Sequence, residues 1–353
     1  MRSTSTLLFL IFFCPSLGLA TQVRVNNNPG MANEVTIHSS LVDVLANHVV
    51  VGDSILLEHS DTPYDGGNVT VSIQVRIFGT GFFLGDNDCT QADLRTAKID
   101  ELTIEADLVL VSGIEIGRCS IEADFVRVNR CNISEYLGLG TTGSINTPRV
   151  GQNFIEGSNA GPILDIVDVT NYVIKNNFIH NTNTSGSHNM RVTDGSGVIL
   201  NNLFFGTPDN LIHNAVVQNN YFEDSEIMPA SSSLTVSFNL ARSTFLDDWG
   251  GAVNNNYGGS AEHEPDSVYC FTLMDGVSRD AKYQLNAWNT DPNSGNPATN
   301  AGADGNDIGM FSGVKTYILS GMPGLPSVAK YSGSVQGTQG GGSNAVVKAK
   351  SRR

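Results

Sequence analysis

Along the middle of the chain, apolar and polar positions recur in one short phrase: a β-branched or apolar pair, one or two polar residues, asparagine, then two apolar residues. The phrase reads Arg149-Val-Gly-Gln-Asn-Phe-Ile155, Val173-Ile-Lys-Asn-Asn-Phe-Ile179, Val198-Ile-Leu-Asn-Asn-Leu-Phe204 and Val216-Val-Gln-Asn-Asn-Tyr-Phe222. Weaker copies begin at Arg127, Thr235 and Ala252. The asparagine position runs through Cys131, Asn153, Asn177, Asn202, Asn220, Asn239 and Asn256 in steps of 22, 24, 25, 18, 19 and 17 residues. That period suits a stacked solenoid. It is too short for a strand-helix-strand unit, which needs roughly 30 residues, and it carries no 3.6-residue apolar period. The pattern therefore predicts an all-β fold, a right-handed parallel β-helix in which each repeat is one turn of the coil. The asparagines Asn153, Asn177, Asn202, Asn220, Asn239 and Asn256 are expected to form a structural ladder, each tolerating a left-handed corner and passing an amide hydrogen bond to the next rung. Phe154, Phe178, Phe204 and Tyr221 are expected to stack beside it in the core.

The flanks predict how the coil is closed. Residues 40–48 place Leu41, Val44 and Leu45 on one helical face behind Ser39 or Ser40 as a cap, which predicts an N-terminal capping helix. Residues 49–58 are expected to open the coil and residues 69–77, 102–104 and 108–116 to continue it, with 79–98 bulging from the side. The domain layout that follows is a signal peptide at 1–20, a capped parallel β-helix at 21–288, a loop-rich closing segment at 289–331, and a tail at 332–353 with a possible last strand. The signal peptide rests on Arg2, the apolar run from Leu7 to Phe13 and the small-residue ending at Ala20, a run too short to span a bilayer. It predicts a secreted or cell-surface protein that is not transmembrane once the signal is removed. The segment 300–326 carries too few apolar residues for a core of its own and is expected to lie over the final rung.

Composition narrows the partners. With 37 glycines and only 16% charged residues, the chain is built for turns rather than for charged helical surface. A net charge of -15 disfavours nucleic acid, whose phosphates it would repel, and leaves cation binding open. Beyond the signal, Cys89, Cys119, Cys131 and Cys270 allow three disulfide pairings or none.

With these pieces in place, further motifs carry a resemblance. They are Val25-Asn-Asn-Asn-Pro-Gly30, Gly52-Asp53, Gly79-Thr-Gly-Phe-Phe-Leu-Gly-Asp86, Asn300-Ala-Gly-Ala-Asp-Gly-Asn-Asp-Ile-Gly-Met-Phe311, Tyr317-Ile-Leu-Ser-Gly-Met-Pro-Gly-Leu-Pro326 and Val346-Val-Lys-Ala-Lys-Ser351. In this order the chain resembles the pectin-lyase-like right-handed parallel β-helix superfamily and is similar to secreted bacterial β-helix proteins of unassigned function. The resemblance implies the fold. It does not choose among the enzymes, adhesins and structural proteins built on it.

Enzymes of that superfamily cut acidic polysaccharide by paired-carboxylate hydrolysis or calcium-assisted elimination. Asp247-Asp248 and Asn289-Thr-Asp291 match fragments of the first pattern, in reversed order along the chain and without its Gly-His-Gly and Arg-Ile-Lys elements. For the second, Arg118, Arg127, Arg130 and Arg149 are near one another in sequence, with Arg127 and Arg149 as candidate catalytic bases and Asp165 and Asp168 as nearby ligands. Asp304, Asn306 and Asp307 offer oxygens of the kind calcium takes, against the simpler account of a turn. His180 and His188 bracket a polar insertion. The sequence thus predicts an exported, non-catalytic protein that binds a polysaccharide or another cell-surface component, in adhesion or in a structural role. A polysaccharide lyase or glycoside hydrolase is the alternative, and calcium is the one cofactor the residues allow for.

Overall fold

The computed structural model describes residues 20–87, 93–241, 252–254, 280, 300–333 and 345–350, apart from positions 34, 184, 186, 207–208, 224, 226, 230–232, 304 and 326. Among these, the strands from Gln22 to Asn254 form two 13-stranded sheets in which neighbouring strands pair in parallel. In the first sheet, Ser54–Leu57, Arg76–Phe78, Leu110–Ser112, Arg127–Asn129, Arg149–Gly151, Val169–Lys175, Gly195–Leu200, Ala215–Gln218, Thr235–Ser237 and Ala252–Asn254 stack in chain order. Between them the chain crosses to the second sheet and returns, as stacked turns of a solenoid require. The second sheet divides at Asn132–Leu139, whose first end pairs with Phe154–Gly157 and whose last end pairs with Leu164–Ile166. Later turns therefore have three faces.

Alternation along each strand fills the interior with aligned columns. Val128, Val150, Ile174, Ile199, Val217 and Val236 stand in register on one wall. Ile133, Ile155, Ile179, Phe204 and Phe222 stand in register on the facing wall. All are buried, each contributing roughly 1.5–3 kcal/mol by leaving water. Phe204 and Phe222 stack at 4.8 Å and 4°. Phe154 and Phe178 also stack, at 4.4 Å, but on the opposite side of the wall, in register with Leu203 and Tyr221. The expected single aromatic stack is thus two, because the polar positions before Phe204 align it with Ile179 and not with Phe178.

The corner between the sheets is where the asparagines act. Asn177 Nδ2 donates to Asn202 Oδ1 at 2.9 Å and to Val150 O at 3.1 Å, while its own Oδ1 accepts from the backbone N–H and the amide of Asn153, both at 3.0 Å. The same exchange links Asn202 to Asn220 and Asn220 to Asn239, and begins at Cys131 N–H on Asn153 Oδ1. These five asparagines are wholly buried. Asn256 lies outside the described residues. The left-handed conformation belongs to the residue before each ladder asparagine, and not to the ladder residue as the sequence suggested. Arg130, Gln152, Asn176, Asn201, Asn219 and Phe238 have φ between 54° and 60°. The corner needs a sharp reversal, and the next residue must already be extended to aim its amide inward. In the Asn-Asn pairs the first residue turns and the second bonds.

At the N-terminal end the helix Leu41–Asn47 is capped by Ser40, whose Oγ accepts the Asp43 N–H at 3.0 Å. Its buried Leu41 and Val44 join the main core. The coil opens earlier than residues 49–58: Gln22–Val25 pairs with both Ile37–His38 and Ser54–Leu57. Residues 69–77 and 108–116 each prove to be two strands in different sheets, Asn68–Val71 with Arg76–Phe78 and Leu110–Ser112 with Glu115–Ile121. Inward alternation continues through a corner, so the break leaves no trace in the hydrophobic pattern.

The C-terminal segment is a strap along the flank. Ile308, Met310 and Tyr317 cover Phe82, Phe154, Phe178, Leu203, Tyr221 and Leu240. The left-handed corner residues, whose side chains face outward, hold it. Asn219 Oδ1 accepts from Ala303 N–H, Asn176 Nδ2 donates to Met310 O and Ser312 O, Gln152 donates to Thr316 O, and Arg130 donates to Met322 O. The strap runs back toward the N-terminal rungs, whereas the sequence placed it over the last one. An outward-facing apolar column must be covered where it lies. Beyond it, Ser327–Gly333 pairs antiparallel with Ala345–Lys350.

Candidate functional site

Where the strap passes the outer face of the first sheet it leaves a groove of about 590 Å³, within the usual size of a ligand site. Its floor is two registered columns of outward residues, Leu110, Arg127, Arg149 and Val173 beside Ser112, Asn129, Gly151 and Lys175. Parallel neighbours lie about 4.8 Å apart, so Arg127 and Arg149 repeat along the groove at the rung spacing. Gly151 keeps the floor low between Asn129 and Lys175: a Cβ there would sit 3.2 Å from Asn129 Oδ1. The corner residues Arg130 and Gln152 form one edge, and Val314, Lys315, Thr316, Ile318 and Gly324 of the strap form the far wall.

Among the described residues, five cations line this groove, Arg127, Arg130, Arg149, Lys175 and Lys315, and no aspartate or glutamate does. Among the described residues none of the five forms a salt bridge. Arg127, Arg149 and Lys315 are exposed. Arg130 is half-buried, its Nε on Gln152 Oε1 at 3.1 Å. Burial lowers its pKa, and a guanidinium still remains charged in such a setting. Phe78, Leu110, Val173 and Ile318 give apolar surface between the charges.

The residues singled out in the sequence fare differently. Arg127, Arg149 and Arg130 converge. Arg118 stands apart on the second sheet, near Glu135 and over the Tyr136 ring. Asp165 is held by Arg191 at 2.6 and 2.9 Å, and Asp168 accepts from Ser144 Oγ, so neither faces the arginines of the groove. Asp247 and Asp248 lie outside the described residues, as do Asn289, Asp291 and Asp304. Asp307 accepts the Asn300 N–H at 3.0 Å and Asn306 O accepts the Gly302 N–H at 2.8 Å, the bonding of a turn. His180 pairs with Glu156 across adjacent rungs at 3.0 Å rather than with His188. Cys119 and Cys131 are free and buried, burial pushing the Cys131 thiol up to about 12; Cys89 and Cys270 lie outside the described residues. Lys175 and Lys315 were not singled out. Lys175 takes the repeat position that Asn129 and Gly151 hold in earlier rungs, a signal the alignment of repeats contains. Lys315 has no such marker.

No helix among the described residues is long and apolar enough to cross a membrane. Comparison with protein-family models, with curated proteins and with solved structures finds no match in any of the three.

Proposed function

We propose that the chain is an exported right-handed parallel β-helix of the pectin-lyase-like kind, whose groove binds an acidic polysaccharide outside the cell or at its surface without cutting it. The observation that carries this reading is the segregation of charge: five cations and no carboxylate among the described residues of one groove, on a molecule of net charge -15. Arginine forks match carboxylate and sulfate groups two bonds at a time. Charges repeating at the rung spacing suit a polymer that carries one anionic group per sugar, and the apolar residues between them suit the C–H faces of the rings. Paired-carboxylate hydrolysis needs two carboxyl groups across the bond, which the described lining does not supply. A nucleic acid fits less well, because its duplex would extend over the acidic remainder of the surface.

The test is binding of the purified chain to polygalacturonate, alginate and neutral dextran by affinity electrophoresis and calorimetry, with release of unsaturated or reducing ends followed in parallel. Retention on the acidic polymers alone is expected. The double substitution Arg127→Gln with Arg149→Gln is expected to weaken it at least about tenfold, roughly 1.4 kcal/mol. Equal binding to dextran, or no binding to either acidic polymer, overturns the proposal. Sustained product release replaces it with the lyase or hydrolase reading.

A further inference from the structure

A second cluster of functional groups sits at the N-terminal cap, far along the coil from the rungs that carry the strap's Asn219 contact. His38 ends the short edge strand Ile37–His38, Asp43 lies in the first turn of the capping helix, and His48 is the residue that closes it. One ligand atom from each of the three, a ring nitrogen of each histidine and a carboxylate oxygen, lies within 4.8 Å of the other two. His48 Nε2 is 3.0 Å from Asp43 Oδ2, and the two imidazole rings are 4.2 Å apart between centroids. The other Asp43 oxygen accepts from Asn47 Nδ2 at 2.8 Å, the outer hydrogen bond that orients a metal-binding carboxylate.

We propose that His38, Asp43 and His48 bind a divalent transition-metal ion, zinc by their chemistry. Two imidazoles and one carboxylate are a zinc ligand set, and three protein ligands leave a fourth position for water. Tetrahedral ligands about 2.1 Å from zinc stand roughly 3.4 Å apart, which modest side-chain rotation reaches from the present spacing. The two outer ligands lie at the surface, with Asp43 and His48 side chains 46% and 39% exposed. His38 is buried and fixed to the sheet by its register with Val25. The exposed side admits the ion. Once bound, it cross-links the edge strand to the helix that covers the open end of the coil, so zinc binding stabilises the cap.

The experiment uses the full chain, freed of metal by chelator and dialysed, then titrated with zinc chloride alone by calorimetry and thermal unfolding. One equivalent of zinc is expected to bind and to raise Tm by about 2–4 °C, with no effect from calcium chloride. His48→Gln and Asp43→Asn, both at exposed positions, are expected to fold and to bind zinc at least tenfold more weakly, while His180→Gln binds as the parent does. Cobalt(II) is expected to give the visible absorption of a four-coordinate site in the parent and to lose it in His48→Gln. No zinc binding by the parent, equal response to calcium, or undiminished binding by both cap variants overturns the proposal.

Discussion

At the level of single residues, the Asn-Asn pairs divide two tasks that the sequence merges. Asn177 faces inward and its loss would leave the Asn153 amide and N–H, the Val150 carbonyl and the Asn202 oxygen each short of a partner. Each such buried vacancy costs about 1–3 kcal/mol. Asn176 faces outward and donates to the strap. Asn176→Gly keeps the left-handed backbone and removes only those two bonds. Urea unfolding should therefore show Asn177→Ala destabilised by about 3 kcal/mol or more and Asn176→Gly by about 1–2 kcal/mol, with hydrogen exchange faster at residues 310–312 only in the second. Equal losses with unchanged exchange would mean that the two asparagines are not specialised.

At the level of elements, the strap is the part that makes the flank of the coil usable. It shields an apolar column that the rungs themselves turn outward, and its near approach is tightest at Gly321, where φ is 52° and a Cβ would lie 2.1 Å from the Phe82 ring and 2.6 Å from Arg130 O. Gly305 has a similar φ of 73° with nothing within 4 Å. Gly321→Ala should lift that end of the strap at a cost of about 1–3 kcal/mol for the forced contact on top of a backbone penalty of about 1–2 kcal/mol. Gly305→Ala should show the backbone penalty alone. Urea midpoints measure the difference, and proteolysis within 313–324 should accelerate only in Gly321→Ala. The helix Leu41–Asn47 was readable because a cap residue and one apolar face are local features. The corners within 69–77 and 108–116 were not, because Val71, Val75 and Ile77 alternate inward on both sides of the bend.

At the level of the whole molecule, charge is unevenly placed. The groove gathers five cations with no carboxylate among its described lining, on a chain of net charge -15, so an anionic polymer is drawn to one face and repelled elsewhere. Screening acts on both effects: the Debye length shortens from about 10 Å at 0.1 M salt to about 3 Å at 1 M. Polygalacturonate affinity, measured by calorimetry from 0.05 to 0.5 M sodium chloride, should fall at least about tenfold, and Lys315→Glu should weaken it at low salt while leaving Tm unchanged, since Lys315 is exposed. Affinity independent of salt would point to apolar contacts in place of charge.

What the amino-acid order determines by itself is whatever repeats with the rung. A single residue type returning every 17 to 25 positions announces a stacked coil and names the ladder from Asn153 to Asn239, because each rung must solve the same corner with the same chemistry. The groove belongs to the tertiary structure. Arg127 and Arg149 become neighbours only through register, and the far wall comes from Val314, Lys315, Thr316, Ile318 and Gly324, more than 150 positions away, folding back along the flank. The cluster at His38, Asp43 and His48 also waited on folding, since it spans a strand, a turn and a helix and so has no single period to betray it. Repetition is written in the chain; convergence of unlike segments is decided by which buried face must be covered and by what.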